Sequence, residues 1–530
     1  MLPALSPQEL QTWLHDGQEL ALLDIREEGQ FGENHLLFST PLAYSRLELD
    51  ISRLVPRLPT RIVLCDESED LSPRAAQRLL SMGYTEVRWL KGGVTAWGQA
   101  GLTLFKGVNV PSKLFGELVE LNYHTPHISV QELAQMQKGG DDFILLDGRP
   151  YAEYHKMSIP GAICCPNAEL PYRLHQLVDN PKTKIIVNCA GRTRSIMGAQ
   201  GLRNFGVNNP VYALENGTQG WVLAGFELEH GATRTYPSTI DPKQLLPLQQ
   251  KAKALMAQFG IQSLSTAEAQ RWVAQATHSV YFLDIRTAEE FQLKNLLGSI
   301  HAPGGQLIQA TDQWAAVRQA RLVLIDNDQV RAPIVATWLK QMGCEVYVLQ
   351  DGIDAPLSLP PLAKPALPPL ERINAAELKQ ALQDPHCRAL DLGPSLKFRQ
   401  QHIEKTQWSI RSRIVEDAAG ATQVILLSED LPKAQLAAIE LIQSGIHQIK
   451  LYSDGMDSWK KSGFPVLTDS KYPEDADCID FLFFVHDRHS GNREAMRQYL
   501  AWETGLIKQL NEQDKASFSV GWPTPHQHDT

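Results

Sequence analysis

Four times along these 530 residues an apolar run ends in aspartate and a polar helix start follows. The runs are "ALLDIREEGQF" with Asp24, "ILLDGRPYAEY" with Asp147, "YFLDIRTAEEF" with Asp284 and "RALDLGPSLKF" with Asp391. A second apolar run follows each, "RIVLCD", "KIIVNCA", "RLVLID" and "QVILLSE", and the position just past it is Asp66, Cys189, Asp326 and Ser428. Asp24 and Asp66, Asp147 and Cys189, and Asp284 and Asp326 are each 42 residues apart, and Asp391 and Ser428 are 37 apart. Spacing so regular restricts the chain to copies of one supersecondary unit. A helix-like stretch, a short strand and a glycine turn complete each copy. The turns "KGGVTAW", "ENGTQGW" and "SDGMDSW" end in Trp97, Trp221 and Trp459, whereas "QDGIDAP" lacks the tryptophan.

Near-continuous apolar strands alternating with helices read as an α/β architecture, each copy a parallel sheet with helices on both faces. The pattern bounds copies at 1–105, 125–232, 262–356 and 370–468, and a tail at 469–530 matches none of them. A linker helix is expected between copies two and three, and the proline-rich "PLSLPPLAKPALPPLE" reads as a semi-rigid spacer. In the tail, Met496, Tyr499, Leu500, Trp502, Leu506 and Leu510 suit an amphipathic helix that packs back on a domain or forms a homodimer contact.

Composition narrows the function. With 43% hydrophobic and 21% charged residues the chain is of the soluble globular kind. A net charge of -10 argues against a nucleic-acid partner, which needs a basic surface. No apolar run approaches the ~20 residues that span a bilayer, so no membrane role is expected. The N-terminus lacks the pattern of a signal peptide. Seven cysteines, sparse and odd in number, suit a reducing cytoplasm rather than a disulfide framework. His486 and His489 flank Asp487, but a metal site needs better ligand spacing and a further partner, so neither metal nor organic cofactor is expected.

One copy carries chemistry. In "NCAGRTRS" Cys189 ends a buried strand, and the chain curls before a helix starting near Ser195. Such a loop turns successive backbone N–H groups inward as an anion-binding nest, with the helix N-terminus adding partial positive charge. Arg192 and Arg194 add two cationic groups, and all of these favour thiolate over thiol. Asp66, Asp326 and Ser428 cannot act as sulfur nucleophiles, so the other copies read as scaffold, although Arg331 keeps its place five residues after Asp326. Cys65 falls on the last strand position rather than in the loop, and Cys164 and Cys165 fall on a strand, where core packing is expected.

Together the "LLDxR" strand, the C-x4-R loop and the "GG…W" turn resemble the rhodanese (thiosulfate sulfurtransferase) homology domain, as four tandem copies. The second copy resembles it most, departing at Ser158 in "MSIPGA", where histidine is common, and at Asn216, where the turn usually has glycine. The resemblance implies a sulfurtransferase with Cys189 as catalytic nucleophile, carrying sulfane sulfur as a persulfide in two half-reactions. Ala190, Gly191, Arg192, Thr193, Arg194 and Ser195 then form the substrate-binding loop. Arg149, from the Asp-x-Arg strand, is either a rim cation of that site or the ion-pair partner of Asp147. The expected partners are a small anionic sulfur donor such as thiosulfate and a cyanide or thiol acceptor, with a protein donor or acceptor as an alternative. A persulfide carrier or scaffold and a redox sensor remain alternatives of other classes. Cysteine phosphatases use a longer C-x5-R loop that wraps a phosphate, so phosphatase chemistry ranks behind sulfur transfer.

Overall fold

A computed structural model of the protein describes residues 4–489 and 491–521. In the second repeat the strands are His127–Ile128, Phe143–Asp147, Ile163–Cys164, Lys184–Asn188 and Val211–Leu214. Taken in chain order they form an all-parallel sheet arranged 1-5-4-2-3. The third repeat builds the same order from Gln262–Leu264, Val280–Asp284, Ile300–His301, Arg321–Ile325 and Glu345–Leu349. So does the fourth, from Glu371–Arg372, Cys387–Asp391, Thr406–Trp408, Gln423–Leu427 and Gln448–Tyr452. In the first repeat a bridge from Leu5 to Leu90 stands in for the outer strand beside Val87–Trp89.

Burial explains the strand composition. Ile185, Ile186 and Val187 of the central strand are wholly inaccessible because helices cover both faces of the sheet. The order 1-5-4-2-3 also sends the chain in opposite directions from the carboxyl ends of the adjacent second and fourth strands. That is a topological switch point, where a crevice opens outside the sheet. Cys189 stands at that point, one residue past Lys184–Asn188.

The repeats do not pair in chain order. One compact unit holds the first and fourth repeats, from Ala21–Val108 and Leu362–Phe483. Its buried Arg411 bridges the two repeats, pairing with Glu48 at 2.7 Å and Glu440 at 3.0 Å. The other unit holds the second and third repeats, Asn109–Pro361, together with the chain from Phe484 onward. There the fully buried Arg331 of the third repeat pairs with Glu169 of the second at 2.8 Å. The tail is therefore two pieces, 469–483 lying with the first unit and the remainder with the second, and its residues 522–530 lie outside the described residues. The linker helix between the second and third repeats is Pro242–Phe259. A further helix, Val110–Tyr123, occupies the stretch between the first and second repeats and packs on the helix that follows the Cys189 loop. No helix among the described residues is long and apolar enough to cross a membrane.

Candidate active site

The Cys189 loop is fixed at both ends by backbone. The strand before it aligns Asn188 with Asp147, and the Asn188 amide donates to the Asp147 carboxylate at 3.1 Å. Behind it, the Cys189 carbonyl accepts from the Thr218 N–H at 2.9 Å, and the Ala190 carbonyl from the Gln219 N–H at 3.1 Å. This contact requires Gly217, whose φ is +48° and whose missing Cβ would overlap the Cys189 carbonyl. Asn216 has φ +59°, matching Gly92 of the first repeat at +69°, and asparagine tolerates that left-handed conformation. The departure from the usual glycine thus keeps the turn.

Cys189 is 2% exposed, and its thiol faces the Ser195 hydroxyl at 3.7 Å. Ser195 in turn donates to the Arg192 carbonyl at 2.7 Å, which ties the start of the helix Thr193–Asn204 to the loop. Gly191, Thr193 and Ser195 are buried with the thiol.

The sibling loops reveal what this fold of backbone binds. In the first repeat the Asp66 carboxylate accepts from the N–H groups of Glu69 at 2.9 Å and Ser72 at 3.0 Å, and also from Leu71. In the third, Asp326 accepts from Gln329 at 2.9 Å, Val330 at 3.1 Å and Ala332 at 3.0 Å. Each loop therefore wraps its amides around an anion carried at the cysteine position, as a nest does. Positions three and six residues on, which donate in both siblings, are Arg192 and Ser195 in the second repeat. The fourth repeat differs: Ser428 lies at a shortened loop, and Asp430 caps the next helix through the Lys433 N–H.

All three sequence-singled arginines stand in ion pairs. Arg149 grips Asp147 with Nε at 2.9 Å and Nη2 at 2.7 Å, and both are buried. Arg26 with Asp24 and Arg286 with Asp284 repeat that grip in copies without the cysteine. The fourth repeat has no such arginine, and burial pushes the Asp391 carboxyl up to about 6 despite the Gly393 amide that lowers it. Arg194 pairs with Glu153 through two 2.8 Å bonds, and its guanidinium lies within electrostatic reach of the Cys189 position. Arg331 holds Glu290 in the same way in the third repeat. Arg192 turns to the helix Val110–Tyr123, pairing with Glu117 at 2.8 and 3.0 Å and with Glu120. Structure thus brings Cys189, Ala190, Gly191, Thr193 and Ser195 together, keeps Arg194 beside them, and commits Arg192 and Arg149 to carboxylates.

Cys65, Cys164 and Cys165 behave as core. Cys65 is the last residue of its strand, and burial raises its thiol well above the ordinary range. Burial pushes Cys164 up to about 12 and raises Cys165 as well.

One neighbour of the loop had no signal in the sequence. The tail helix Arg493–Gly505 lies on the second repeat and buries Met496, Tyr499 and Glu503. The Thr193 hydroxyl donates to Glu503 Oε1 at 2.9 Å, across 310 residues of sequence. Glu503 breaks the apolar stripe, so periodicity alone reads it as an outward-facing charge. Its burial follows from partners on other elements, with Lys113 Nζ 3.9 Å away.

Comparison with known proteins identifies the fold. The family model described as rhodanese-like domain matches residues 6–100, 129–224 and 265–357. A crystal structure of a thiosulfate sulfurtransferase from Pseudomonas aeruginosa is similar over 98% of this chain and 99% of that one, at 39% identity and a TM-score of 0.89. An uncharacterised protein of Synechocystis sp. is 32% identical over 114 residues, covering 22% of this chain and 62% of that protein. An HTH-type transcriptional regulator of Mycobacterium tuberculosis is 34% identical over 106 residues, covering 20% of this chain and 45% of the regulator. The chain therefore spans less than two thirds of the length of these two curated relatives. With more than half of its length matched by the family model, and the fourth repeat folded in the same strand order, the chain belongs to the rhodanese-like domain family.

Proposed function

We propose that the protein is a sulfurtransferase that moves a sulfane sulfur from thiosulfate or a similar small anionic donor to cyanide or a thiol, through a persulfide on Cys189. The observation that carries this reading is the loop comparison. Asp66 and Asp326 each set a carboxylate among inward N–H groups at the position where the second repeat has a thiol. A loop that binds an anion there favours a thiolate, and then the terminal sulfur of a persulfide.

In the first half-reaction the Cys189 thiolate attacks the outer sulfur of the donor. A Cys–S bond to that sulfur forms, the donor's S–S bond breaks, and its electron pair leaves on sulfite. In the second half, cyanide or a thiolate attacks the same sulfur, and Cys189 leaves as thiolate. Arg194 supplies a fixed positive charge beside the sulfur, while Arg149 and Arg192 hold the strand and the neighbouring helix in place. The similarity to the Pseudomonas aeruginosa thiosulfate sulfurtransferase supports thiosulfate as the donor.

Mass spectrometry of the intact protein after exposure to thiosulfate tests the proposal. An adduct of one sulfur atom on Cys189, removed by cyanide with release of thiocyanate, is expected. An adduct that persists in Cys189→Ser would sink the single-site reading.

A further inference from the structure

The tail helix lies over the Cys189 loop, and it carries a carboxylate oxygen without a partner among the described residues. Glu503 is 2% exposed. Its Oε1 accepts from Thr193 and lies 3.9 Å from Lys113 Nζ, but its Oε2 is buried and accepts no hydrogen bond among the described residues. That free oxygen is aimed at the catalytic loop, because a Cβ on Gly191 would stand 3.0 Å from it. Gln219 lies on the same side of Gly191, donating through Nε2 to the Ala190 carbonyl, and its Oε1 also lacks a partner. Two vacant acceptors over an anion-binding loop call for a ligand that brings a proton, and a dianionic donor brings none. Burying an unpaired carboxylate oxygen is costly unless such a donor arrives.

We infer that Glu503 is the proton acceptor for a small thiol substrate in the second half-reaction, so that the tail helix completes the active site of the second repeat. This rests on the Cys189 persulfide chemistry proposed above. The thiol docks with its S–H toward Glu503 Oε2. As its sulfur bonds to the terminal persulfide sulfur, the proton passes to the carboxylate. The bond from that sulfur to Cys189 breaks, and its electron pair leaves Cys189 as thiolate. Ionised sulfite has no proton to give up: it attacks the terminal sulfur and leaves as thiosulfate, with Cys189 released as thiolate, so its discharge does not draw on Glu503. The 2% exposure of Cys189 under this helix also assigns a small molecule rather than a folded protein as acceptor. The charged groups around Glu503 are Lys113 and Glu117 of the helix Val110–Tyr123 and Arg192 of the loop, with Arg192 itself paired to Glu117 and Glu120.

The test loads the full-length protein with thiosulfate, removes excess donor, and times loss of the sulfur adduct to mercaptoethanol or to sulfite in slightly alkaline buffer. In Glu503→Gln, which can still accept from Thr193, the ratio of thiol to sulfite discharge is expected to fall about a hundredfold in slightly alkaline buffer, where sulfite is ionised and the thiol is not. The ratio should return to the wild-type value well above the thiol's own pKa, where the acceptor arrives already deprotonated. Glu503→Asp should keep most of the ratio, whereas a tail that had merely come loose would lose it in both variants. An unchanged ratio in Glu503→Gln, or a defect that ignores pH, overturns the inference. Failure of the wild-type protein to take up sulfur at all would instead overturn the persulfide reading.

Discussion

The loops of the second and third repeats share their length, the arginine five residues in, and the glutamate which that arginine holds. Every other residue differs, "CAGRT" against "DNDQV", and the first of them decides the chemistry. In the third repeat the Asp326 carboxylate fills the nest with its own charge and accepts three N–H groups. In the second repeat a cysteine stands there, its sulfur facing Ser195. One loop is a closed structural knot and the other is open to a charge that must come from chemistry. Burial raises the Asp326 carboxyl, although the Ala332 and Gln329 amides and Arg331 pull it down, so even a satisfied nest binds its anion against desolvation. Of the groups the two loops share, the amides are the ones that meet the anion directly. The arginine is common to both, and in both it is turned to a glutamate.

The strongest way to break this comparison is to remove the nucleophile. Cys189→Ser is expected to abolish sulfur uptake from thiosulfate, a loss of at least about a thousandfold read by thiocyanate release. The converse change sharpens it. In Asp326→Cys the third-repeat nest receives a thiol, and intact mass should rise by two sulfur atoms per chain instead of one. A variant that stays at one sulfur would mean that backbone alone does not make a competent site.

Smaller effects test the nest as a source of stability. Asp66→Ala leaves the Glu69, Leu71 and Ser72 N–H groups without their acceptor and should cost about 1–3 kcal/mol in denaturant unfolding. Gly217→Ala adds a Cβ against the Cys189 carbonyl at a left-handed φ. It should also cost about 1–3 kcal/mol and slow sulfur uptake, because the strained turn and the loop move together. The smallest effect concerns the fourth repeat. Asp391 has a folded-state value of about 6, above that of an exposed carboxylate, so folding favours its protonated form. Stability from this group therefore rises as pH falls through about 6. Asp391→Asn should raise stability at neutral pH by about 1 kcal/mol and flatten the thermal melting profile across that range.

Much of this was legible from residues alone. The 42-residue spacing and the recurring aspartate gave the repeated sheets, and the count along "RIVLCD" put Cys65 on the strand rather than in the loop. The fourth repeat was legible too, through its apolar runs, although its loop had eroded. What stayed hidden was every partner supplied from a distance. Glu117 and Glu120 sit on a helix that reads as a spacer between copies, yet they claim Arg192. Glu153 claims Arg194, so both cations that look free beside Cys189 are held by carboxylates. The pairing of first with fourth and second with third depends on buried bridges such as Arg411 to Glu48, which have no local pattern to announce them. Glu503 was hidden for the same reason.

The nested pairing also sets a timetable. During synthesis the second and third repeats emerge one after the other and can fold as a unit, but the first must wait for the fourth. Glu503 trails Thr193 by 310 residues. At typical elongation rates that separation is about 15–60 s. The nucleophile of a newborn chain therefore exists well before the helix that covers it, and for that interval Cys189 is a bare thiol in a waiting loop. Stalled or shortened chains would share this state, so the helix Arg493–Gly505 doubles as proof that translation has run past it.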